Sequence, residues 1–217
     1  MKKHFGLILF SRYPRAGNTK TRLIPHLGAV NAANLQRRMT EHMAQQMRSL
    51  PSNIDLEVQF SGGRLDQMRD WLGKDLSYQP QIAGSLGPKL HSAFVNQFRS
   101  GKTRVVVIGS DCPEITTAHL TSAFQQLETR DLVLGPAADG GYYLIGLRQP
   151  QPSLFEAIPW GTGEVFETTA AIAAQLNLSV AQLEQLHDID RPEDLARLSE
   201  IAGFNEGRRL AQQPVSP

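Results

Sequence analysis

Short apolar runs alternate with segments of helical periodicity along most of this chain of 217 residues. Phe5–Phe10 is one such run, and Leu35, Met39 and Met43 then recur at helical spacing. The strongest run, Val105–Ile108, is also followed by a helical pattern. Strands that alternate with helices form a mainly parallel sheet covered by helices on both faces. The order of the segments therefore predicts an α/β fold.

The composition is that of one ordinary globular domain. Apolar residues make up 41% of the chain and charged residues 20%, and the formal net charge of +1 creates no global field that would recruit nucleic acid or a membrane. Phe5–Phe10 is too short for a signal peptide or a membrane span. The single cysteine, Cys112, excludes an internal disulfide and a cysteine metal cluster. We expect a cytoplasmic protein, with one domain over residues 1–203 and a tail over residues 204–217; the sequence does not determine the oligomeric state.

Two acidic positions follow apolar segments. Asp111 lies in the small-residue turn after Val105–Ile108, and Asp190 lies in a later cluster that also contains Asp188. Ligands of open α/β sheets bind at the carboxyl edge, where such turns lie. Two carboxylates that face a pyrophosphate repel it by about 4 kcal/mol per close pair at moderate dielectric, and a hard divalent cation removes that penalty. The pattern predicts Mg²⁺ or Mn²⁺ on Asp111 and Asp190, with Asp188 as an alternative second ligand and a helix cap before Pro192 as the structural alternative for Asp190.

A basic loop follows the first predicted strand within residues 11–28. Four cations fall within eleven residues that contain no acid, and Gly17 and Asn18 can adopt the positive φ of a tight anion-binding turn. Guanidinium and ammonium groups at the sheet edge suit a diphosphate or a triphosphate, whereas a solvated surface loop is the alternative. The four cations are Arg12, Arg15, Lys20 and Arg22.

A glycine pair follows a third acidic position. Asp139 precedes Gly140 and Gly141, which would let a substrate approach the backbone closely. Asp139 could hydrogen-bond an acceptor hydroxyl or take its proton, and Asp-Gly is also a strong hairpin-turn dipeptide. Both roles are compatible at a sheet edge. Trp160, further on, could stack on a base or sugar or belong to the core.

Five ordered motifs give the chain a resemblance to a known family over about residues 5–200. The sequence resembles the small bacterial GT-A-like transferases known as arsenosugar-biosynthesis or radical-SAM/selenodomain-associated glycosyltransferases, within the nucleotide-diphospho-sugar transferase superfamily. The motifs span residues 10–23, 85–90, 109–113, 135–142 and 188–195.

This resemblance implies a single Rossmann-like GT-A domain in which Asp111 binds the metal ion and Asp190 is its late partner. Two departures stand out: no complete Asp-x-Asp follows the central strand, and Lys89 lies where relatives often carry arginine, which places bidentate phosphate binding there in doubt. The residues expected to bind the nucleotide and its phosphates are Ser11, Arg12, Arg15, Gly17, Lys20, Arg22, Gly87, Lys89, Gly140 and Gly141.

The sequence thus predicts a metal-dependent glycosyltransferase that uses a nucleotide-diphospho-sugar donor and a small-molecule acceptor. The cation and Lys20 of the basic loop would stabilise the leaving nucleoside diphosphate, and Asp139 would act on the acceptor. A nucleotidyltransferase that consumes a nucleoside triphosphate and releases pyrophosphate is the alternative. A nucleotide-binding module without turnover is a third hypothesis.

Overall fold

Seven strands and five α-helices make up the protein in a computed structural model that describes residues 4–201 and residue 204. Three further segments, residues 21–23, 152–155 and 192–200, are 3₁₀ helices. The strands are β1 (Phe5–Arg12), β2 (Ile54–Ser61), β3 (Ser77–Pro80), β4 (Arg104–Gly109), β5 (Leu132–Pro136), β6 (Tyr142–Leu147) and β7 (Val180–Gln182). The helices are α1 (Ile24–Arg48), α2 (Leu65–Leu72), α3 (Leu86–Arg99), α4 (Thr117–Gln126) and α5 (Val165–Gln175).

The strands form one sheet in the order β3-β2-β1-β4-β6-β5-β7. β4 lies at its centre, and β1 beside it pairs in parallel with both β2 and β4. The exception is β6, which runs antiparallel to both β4 and β5. A short turn joins β5 directly to β6, and two adjacent strands joined in this way must run in opposite directions. The predicted mainly parallel sheet is confirmed.

Helices cover both faces of the sheet, as the sequence predicted. Leu7 and Leu9 of β1 face the apolar side chains of α1, α2 and α4, whereas Ile8 between them faces those of α3 and α5. The strands β4 and β5 are likewise buried along their length. A strand with both faces buried requires a continuous apolar run, which is why Val105–Ile108 gave the clearest signal in the sequence.

The segment between β1 and α1 is shorter than the predicted loop over residues 11–28. β1 continues to Arg12, and helical structure begins at Thr21 rather than after Gly28. Pro25 occupies the first turn of α1, a position where a missing N–H costs nothing. Gly28, at φ 77° and ψ 157°, separates this turn from the rest of the helix. The loop that remains, residues 13–20, forms one wall of the candidate site.

Other features of the described residues bear on the predicted boundaries. None of the helices there combines the length and apolar character needed to cross a membrane. Phe204, the first residue of the predicted tail, is buried on α1, with its ring 5.3 Å from His42 and 5.5 Å from the Arg38 guanidinium carbon. The remaining tail positions lie outside the described residues, and the boundary at residue 203 stays a prediction.

Candidate active site

The carboxyl ends of β1 and β4 meet at one edge of the sheet. Phe10 pairs with Gly109 at the last register position that the two strands share. Arg12 ends β1, and Asp111 follows β4 by two residues, so the basic loop and this carboxylate leave the sheet side by side. The Asp111 side chain is 50% exposed and is accessible to a ligand.

A late segment, residues 186–190, is held between the turn after β4 and the β5–β6 hairpin. The N–H of Ile189 donates to the carbonyl of Asp111 at 2.8 Å, and the N–H of Leu186 donates to that of Pro136 at 3.1 Å. The N–H of His187 donates to the Glu114 carboxylate at 2.8 Å. These backbone bonds bring Asp190 beside Asp111 from a distant part of the sequence.

Lys20 lies between the two aspartates. Its Nζ is 2.8 Å from Asp111 Oδ1 and 3.6 Å from Asp190 Oδ1, and it donates to the carbonyl of Ile189 at 2.6 Å. The side chain is only 2% exposed. The sequence predicted this ammonium near phosphates, and the structure adds that it forms ion pairs with both predicted metal ligands. The three side chains lie together, as the sequence predicted. Their roles in binding and catalysis stay predictions.

Arginine side chains at the two ends of the basic loop hold it in place. Arg12 Nη1 donates to the carbonyl of Asn18 at 3.0 Å, and Arg22 Nη1 donates to Asp190 Oδ2. Gly17 has φ 83°, as predicted. The same prediction for Asn18 is wrong, because Lys20 is the second residue of the loop with positive φ, at 49°. A non-glycine residue with left-handed backbone angles carries backbone strain. At Lys20 this conformation occurs together with a buried side chain that contacts Asp111.

A pocket of about 510 Å³, termed the loop-side pocket, opens over these groups. Arg15 and Gly17 do not line it, although both were predicted to bind the nucleotide. Gln36, Ser110 and Leu86, which the sequence did not single out, do line it. The predicted residues among its walls are Ser11, Arg12, Lys20, Arg22, Lys89, Asp111 and Asp190.

A second pocket of about 590 Å³, termed the hairpin-side pocket, lies on the other side of Asp190. Arg22, Leu86 and Asp190 line both pockets. The predicted Asp139 and Gly141 line the hairpin-side pocket alone. Two adjoining pockets that share a wall of charged side chains can hold two reactants next to each other.

The hairpin turn between β5 and β6 fixes Asp139. Its Oδ1 accepts the N–H of Gly141 at 2.9 Å, so the predicted hairpin turn is confirmed and a direct role for the carboxylate stays a prediction. Gly140 has φ 87°, and a Cβ there would lie 2.1 Å from the carbonyl oxygen of Gly163. Only glycine fits this close approach of two backbone segments.

Gly87 also has a packing reason to be glycine. A Cβ at this position would lie 2.6 Å from the carbonyl oxygen of Phe155 and 2.8 Å from Trp160 Nε1. The predicted contact of Gly87 with a nucleotide is therefore not needed to explain the residue, and it stays a prediction. Trp160 itself packs against the core, as one of its two alternatives predicted, and also lines the hairpin-side pocket; stacking on a base or sugar stays a prediction.

Two further acidic or nucleophilic groups are tuned by burial. Burial, with the nearby negative charges of Asp111 and Asp139, raises the pKa of Asp188 to about 7. Burial likewise raises the pKa of the Cys112 thiol well above its ordinary value, which keeps the thiol protonated and unsuited to nucleophilic attack.

A buried polar network behind the loop-side pocket was missed by the sequence analysis. Ser11 Oγ lies 2.9 Å from Thr40 Oγ1, and Gln36 Nε2 donates to both Thr40 Oγ1 at 3.1 Å and Ser110 Oγ at 2.9 Å. The network ties β1 and β4 to α1 where both strands enter the site. The available signal was the presence of Gln36 and Thr40 on the apolar stripe that contains Leu35 and Met39.

The carboxylates offer a partial metal site. Within the described part of the chain, no group of three His, Cys, Asp or Glu side chains is arranged to hold a metal ion. Asp111 and Asp190 nevertheless present two hard oxygen donors at one place, with Asp188 nearby. Mg²⁺ in proteins is commonly bound by one or two carboxylates together with water and substrate phosphates. The donor set therefore fits a divalent cation that shares its coordination with a bound phosphate.

Comparison with known proteins places the chain in a family. A model of the DUF2064 family, described as an uncharacterized protein conserved in bacteria, matches residues 43–162. The chain belongs to the DUF2064 family. The matched region of this DUF2064 protein includes Asp111 and Asp139, whereas Lys20 and Asp190 lie outside it. A comparison with curated proteins gave no match.

Solved structures confirm the fold and the enzyme class. A candidate nucleotide-diphospho-sugar transferase from Desulfovibrio desulfuricans G20 is 30% identical to the DUF2064 protein and is similar over 98% of both chains, with a TM-score of 0.89. The predicted resemblance to GT-A-like transferases and the transferase class are confirmed at this level.

Two more distant structures share the fold alone. The 4-diphosphocytidyl-2C-methyl-D-erythritol synthase of Anaerococcus prevotii DSM 20548 is 10% identical over 97% of both chains, with a TM-score of 0.61. The inositol-1-phosphate CTP transferase of T. maritima is 15% identical over 100% of the DUF2064 chain and 99% of its own, with a TM-score of 0.57.

Proposed function

We propose that this DUF2064 protein is a metal-dependent glycosyltransferase that moves a sugar from a nucleotide-diphospho-sugar donor to a hydroxyl of a small acceptor. The observation that carries the proposal is the convergence of Lys20, Asp111 and Asp190 at the loop-side pocket. One ammonium and two carboxylates at the carboxyl edge of the sheet suit a bound diphosphate and its counterion. The similar protein from Desulfovibrio desulfuricans G20 supports the same donor class by its description.

The donor diphosphate binds in the loop-side pocket. Arg12, Lys20 and Lys89 line this pocket and supply positive charge to the phosphate oxygens, and Arg22 stands at its border with the hairpin-side pocket. Asp111 and Asp190 would hold Mg²⁺ or Mn²⁺, which would supply Lewis acidity to the leaving group. Lys20, fixed by the carbonyl of Ile189, keeps its ammonium near the diphosphate as negative charge develops there.

The acceptor binds in the hairpin-side pocket, with Asp139 as its orienting group. Asp139 is held by the N–H of Gly141 and retains a second carboxylate oxygen for an acceptor hydroxyl. In this role Asp139 accepts the hydroxyl proton as the oxygen attacks the anomeric carbon and the bond from that carbon to the diphosphate breaks. The wall that the pockets share, formed by Arg22, Leu86 and Asp190, supports a reacting bond between the two pockets.

A nucleotidyltransferase is the second candidate. The density of cations between Arg12 and Arg22 suits a triphosphate as well as a diphosphate. In that reaction an acceptor oxygen attacks the α-phosphorus of a nucleoside triphosphate, and pyrophosphate leaves. The two distant structures with CTP-linked names share this fold, which makes the alternative specific enough to test.

Product analysis separates the candidates. The purified protein is incubated with Mg²⁺ or Mn²⁺ and a panel of nucleotide sugars, and separately with nucleoside triphosphates and sugar phosphates. Released nucleoside diphosphate supports the glycosyltransferase, and released pyrophosphate supports the nucleotidyltransferase. Nucleotide binding without either product would leave a non-catalytic nucleotide-binding module and contradict both enzymatic candidates.

A further inference from the structure

The two pockets differ in the balance of their charges. The hairpin-side pocket is lined by four acidic residues, by two arginines and by His187, and no lysine lines it. The loop-side pocket has the opposite balance, with four cations and two carboxylates. The four acidic residues of the hairpin-side pocket are Asp139, Asp188, Asp190 and Asp194, of which Asp188, with its pKa raised to about 7, is only partly ionised near neutral pH.

Both arginines of the hairpin-side pocket already have acidic partners. Arg22 pairs with Asp190, and Arg191 Nη1 lies 4.0 Å from Glu193 Oε1. Both guanidinium side chains are also mostly exposed, at 65% and 64%, where water screens them. Asp190 is likewise paired, but Asp139, Asp188 and Asp194 form no ion pair with another described residue, so a phosphate on a ligand in this pocket would meet acidic groups without a counterion.

The remaining walls suit a hydroxylated compound. The rings of Tyr142 and Trp160 meet edge to face with centroids 6.2 Å apart, and both line the pocket. Aromatic rings pack against the C–H faces of a ligand, while ionised carboxylates only accept hydrogen bonds and so favour ligands that donate them. The hydroxyl of Thr162, which also lines this pocket, adds a small polar group.

We infer that the acceptor is an uncharged, polyhydroxylated compound, such as a sugar or a polyol, and that phosphorylated acceptors are rejected. This inference rests on the proposed function, because it assigns the hairpin-side pocket to the acceptor. It also favours transfer to a hydroxyl over nucleotidyl transfer to a sugar phosphate, whose nucleophile is itself a phosphate oxygen. The carboxylates act here both as hydrogen-bond acceptors for the correct ligand and as a repulsive element against the wrong one.

Trp160 provides a direct readout of this pocket. The chain contains two tryptophans, and the Trp71→Phe variant leaves Trp160 as the sole indole fluorophore. The variant is titrated with three matched pairs of probes: glucose and glucose 6-phosphate, glycerol and glycerol 3-phosphate, and inositol and inositol 1-phosphate. Saturation-transfer NMR on the wild-type protein with the same pairs provides a second measurement that requires no variant.

For at least one pair, the neutral compound should bind about tenfold or more tightly than its phosphate. The change in Trp160 fluorescence should then reach its midpoint at a correspondingly lower concentration. Equal or tighter binding of the phosphorylated members overturns the inference. The absence of any response by either method also overturns it, since the pocket would then not take such compounds.

Two variants test the charge argument itself. Asp139→Asn removes one pocket carboxylate yet keeps an oxygen that can accept the N–H of Gly141. Glu167→Gln makes the same change of charge at an exposed position of α5 that lines neither pocket. The ratio of affinities for the neutral and the phosphorylated probe should fall in Asp139→Asn. The same ratio should stay as in wild type in Glu167→Gln. An equal effect of the two variants overturns the inference.

A separate titration keeps the proposed function distinguishable. Calorimetry of the wild-type protein with nucleoside diphosphates and Mg²⁺ measures the loop-side pocket alone. A lack of nucleoside diphosphate binding counts against the proposed donor. It does not affect the probe preference measured for the hairpin-side pocket. Normal nucleotide binding together with a preference for phosphorylated probes contradicts only the inference about the acceptor.

Discussion

Lys20 Nζ lies 2.8 Å from Asp111 Oδ1, and this ion pair joins a side chain that is 2% exposed to one that is 50% exposed. The Lys20 ammonium is buried and bonded to the carbonyl of Ile189, whereas the Asp111 carboxylate is half exposed to solvent. Such a pair is a structural contact of the folded chain, and its exposed member is a carboxylate that a cation can reach.

Replacing Lys20 with methionine should destabilise the protein by about 1–3 kcal/mol, because Asp111 and Asp190 lose their shared counterion and Ile189 loses a charged donor. Addition of MgCl₂ should recover more stability in Lys20→Met than in wild type, since a cation can then bind between the carboxylates. Urea unfolding with and without MgCl₂ measures both effects.

Lys89→Met is the matched control for that experiment. Lys89 also lines the loop-side pocket but forms no ion pair with another described residue. Its replacement should change the unfolding free energy by less than about 0.5 kcal/mol and leave the response to MgCl₂ as in wild type. If the two variants gained equal stability from MgCl₂, the proposed cation site beside Lys20 would be contradicted.

Asp111→Asn should abolish metal-dependent product formation and weaken Mn²⁺ binding about tenfold or more, because an amide replaces the more accessible hard anionic ligand. Mn²⁺ binding is followed by electron paramagnetic resonance, so the result does not depend on knowing the acceptor. Asp70→Asn, an exposed change on α2, should bind Mn²⁺ like the wild type. Wild-type activity in Asp111→Asn would refute the assignment of this residue.

Thr40→Val should destabilise the protein by about 1–3 kcal/mol, because Ser11 Oγ and Gln36 Nε2 lose a buried partner without a change in side-chain shape. Thr121→Val is the control, since the hydroxyl of Thr121 bonds only the carbonyl of Thr117 within α4. Chemical denaturation of both variants measures the difference. Similar losses in the two variants would mean that the network contributes no more than an ordinary helical threonine.

Gly140→Ala should destabilise the chain by more than Gly161→Ala, although both glycines have φ between 80° and 90°. Nothing lies within 4 Å of a Cβ at Gly161, so that variant should lose only about 1–2 kcal/mol from its backbone conformation. At Gly140 the Cβ would collide with the carbonyl of Gly163, which adds steric strain to the same backbone cost. Equal unfolding midpoints for the two variants would contradict the close approach.

Ser179→Ala should destabilise the protein by about 1 kcal/mol near neutral pH, and the difference from wild type should shrink in acid. Ser179 donates its O–H and its N–H to Asp131 Oδ2, at 2.5 and 3.0 Å, and these bonds lower the pKa of Asp131. A lowered native pKa contributes stability above the ordinary value of 3.8, and this contribution is lost as the pH falls through the native pKa.

Denaturation at several pH values checks this sign. Ser199→Ala removes a hydroxyl that bonds the carbonyl of Ala196, so its effect should not depend on pH in the same range. A difference that grows in acid for Ser179→Ala would contradict the role given to Asp131.

The parts of the fold that rest on long local patterns were predictable. β1 and β4 are continuous apolar runs, and the stripe with Leu35 and Met39 defined α1 over most of its length. β7 was missed because it has only three residues, and its pairing with β5 depends on the tertiary contact. The helical turn before Gly28 was missed because a proline and a glycine so close together are typical of a loop.

The convergence of three charged side chains was predictable, whereas their contacts and part of the pocket lining were not. The residue types and the carboxyl-edge rule brought Lys20, Asp111 and Asp190 to one place. The ion pairs among them depend on side-chain direction and on the backbone bonds of residues 186–190, which no local pattern encodes. The same limit explains why Arg15 was grouped with residues that line the pocket.

The position of residues 186–190 also has a consequence for biosynthesis. Since translation delivers the amino terminus first, the central strands and Lys20 emerge well before Asp190 reaches the exit of the ribosome. Until that late segment docks, Lys20 has Asp111 as its anionic neighbour and lacks Asp190. The β5–β6 hairpin likewise lacks its contact with Leu186. A chain released early would thus carry most strands of the sheet without Asp190 beside Lys20 and Asp111.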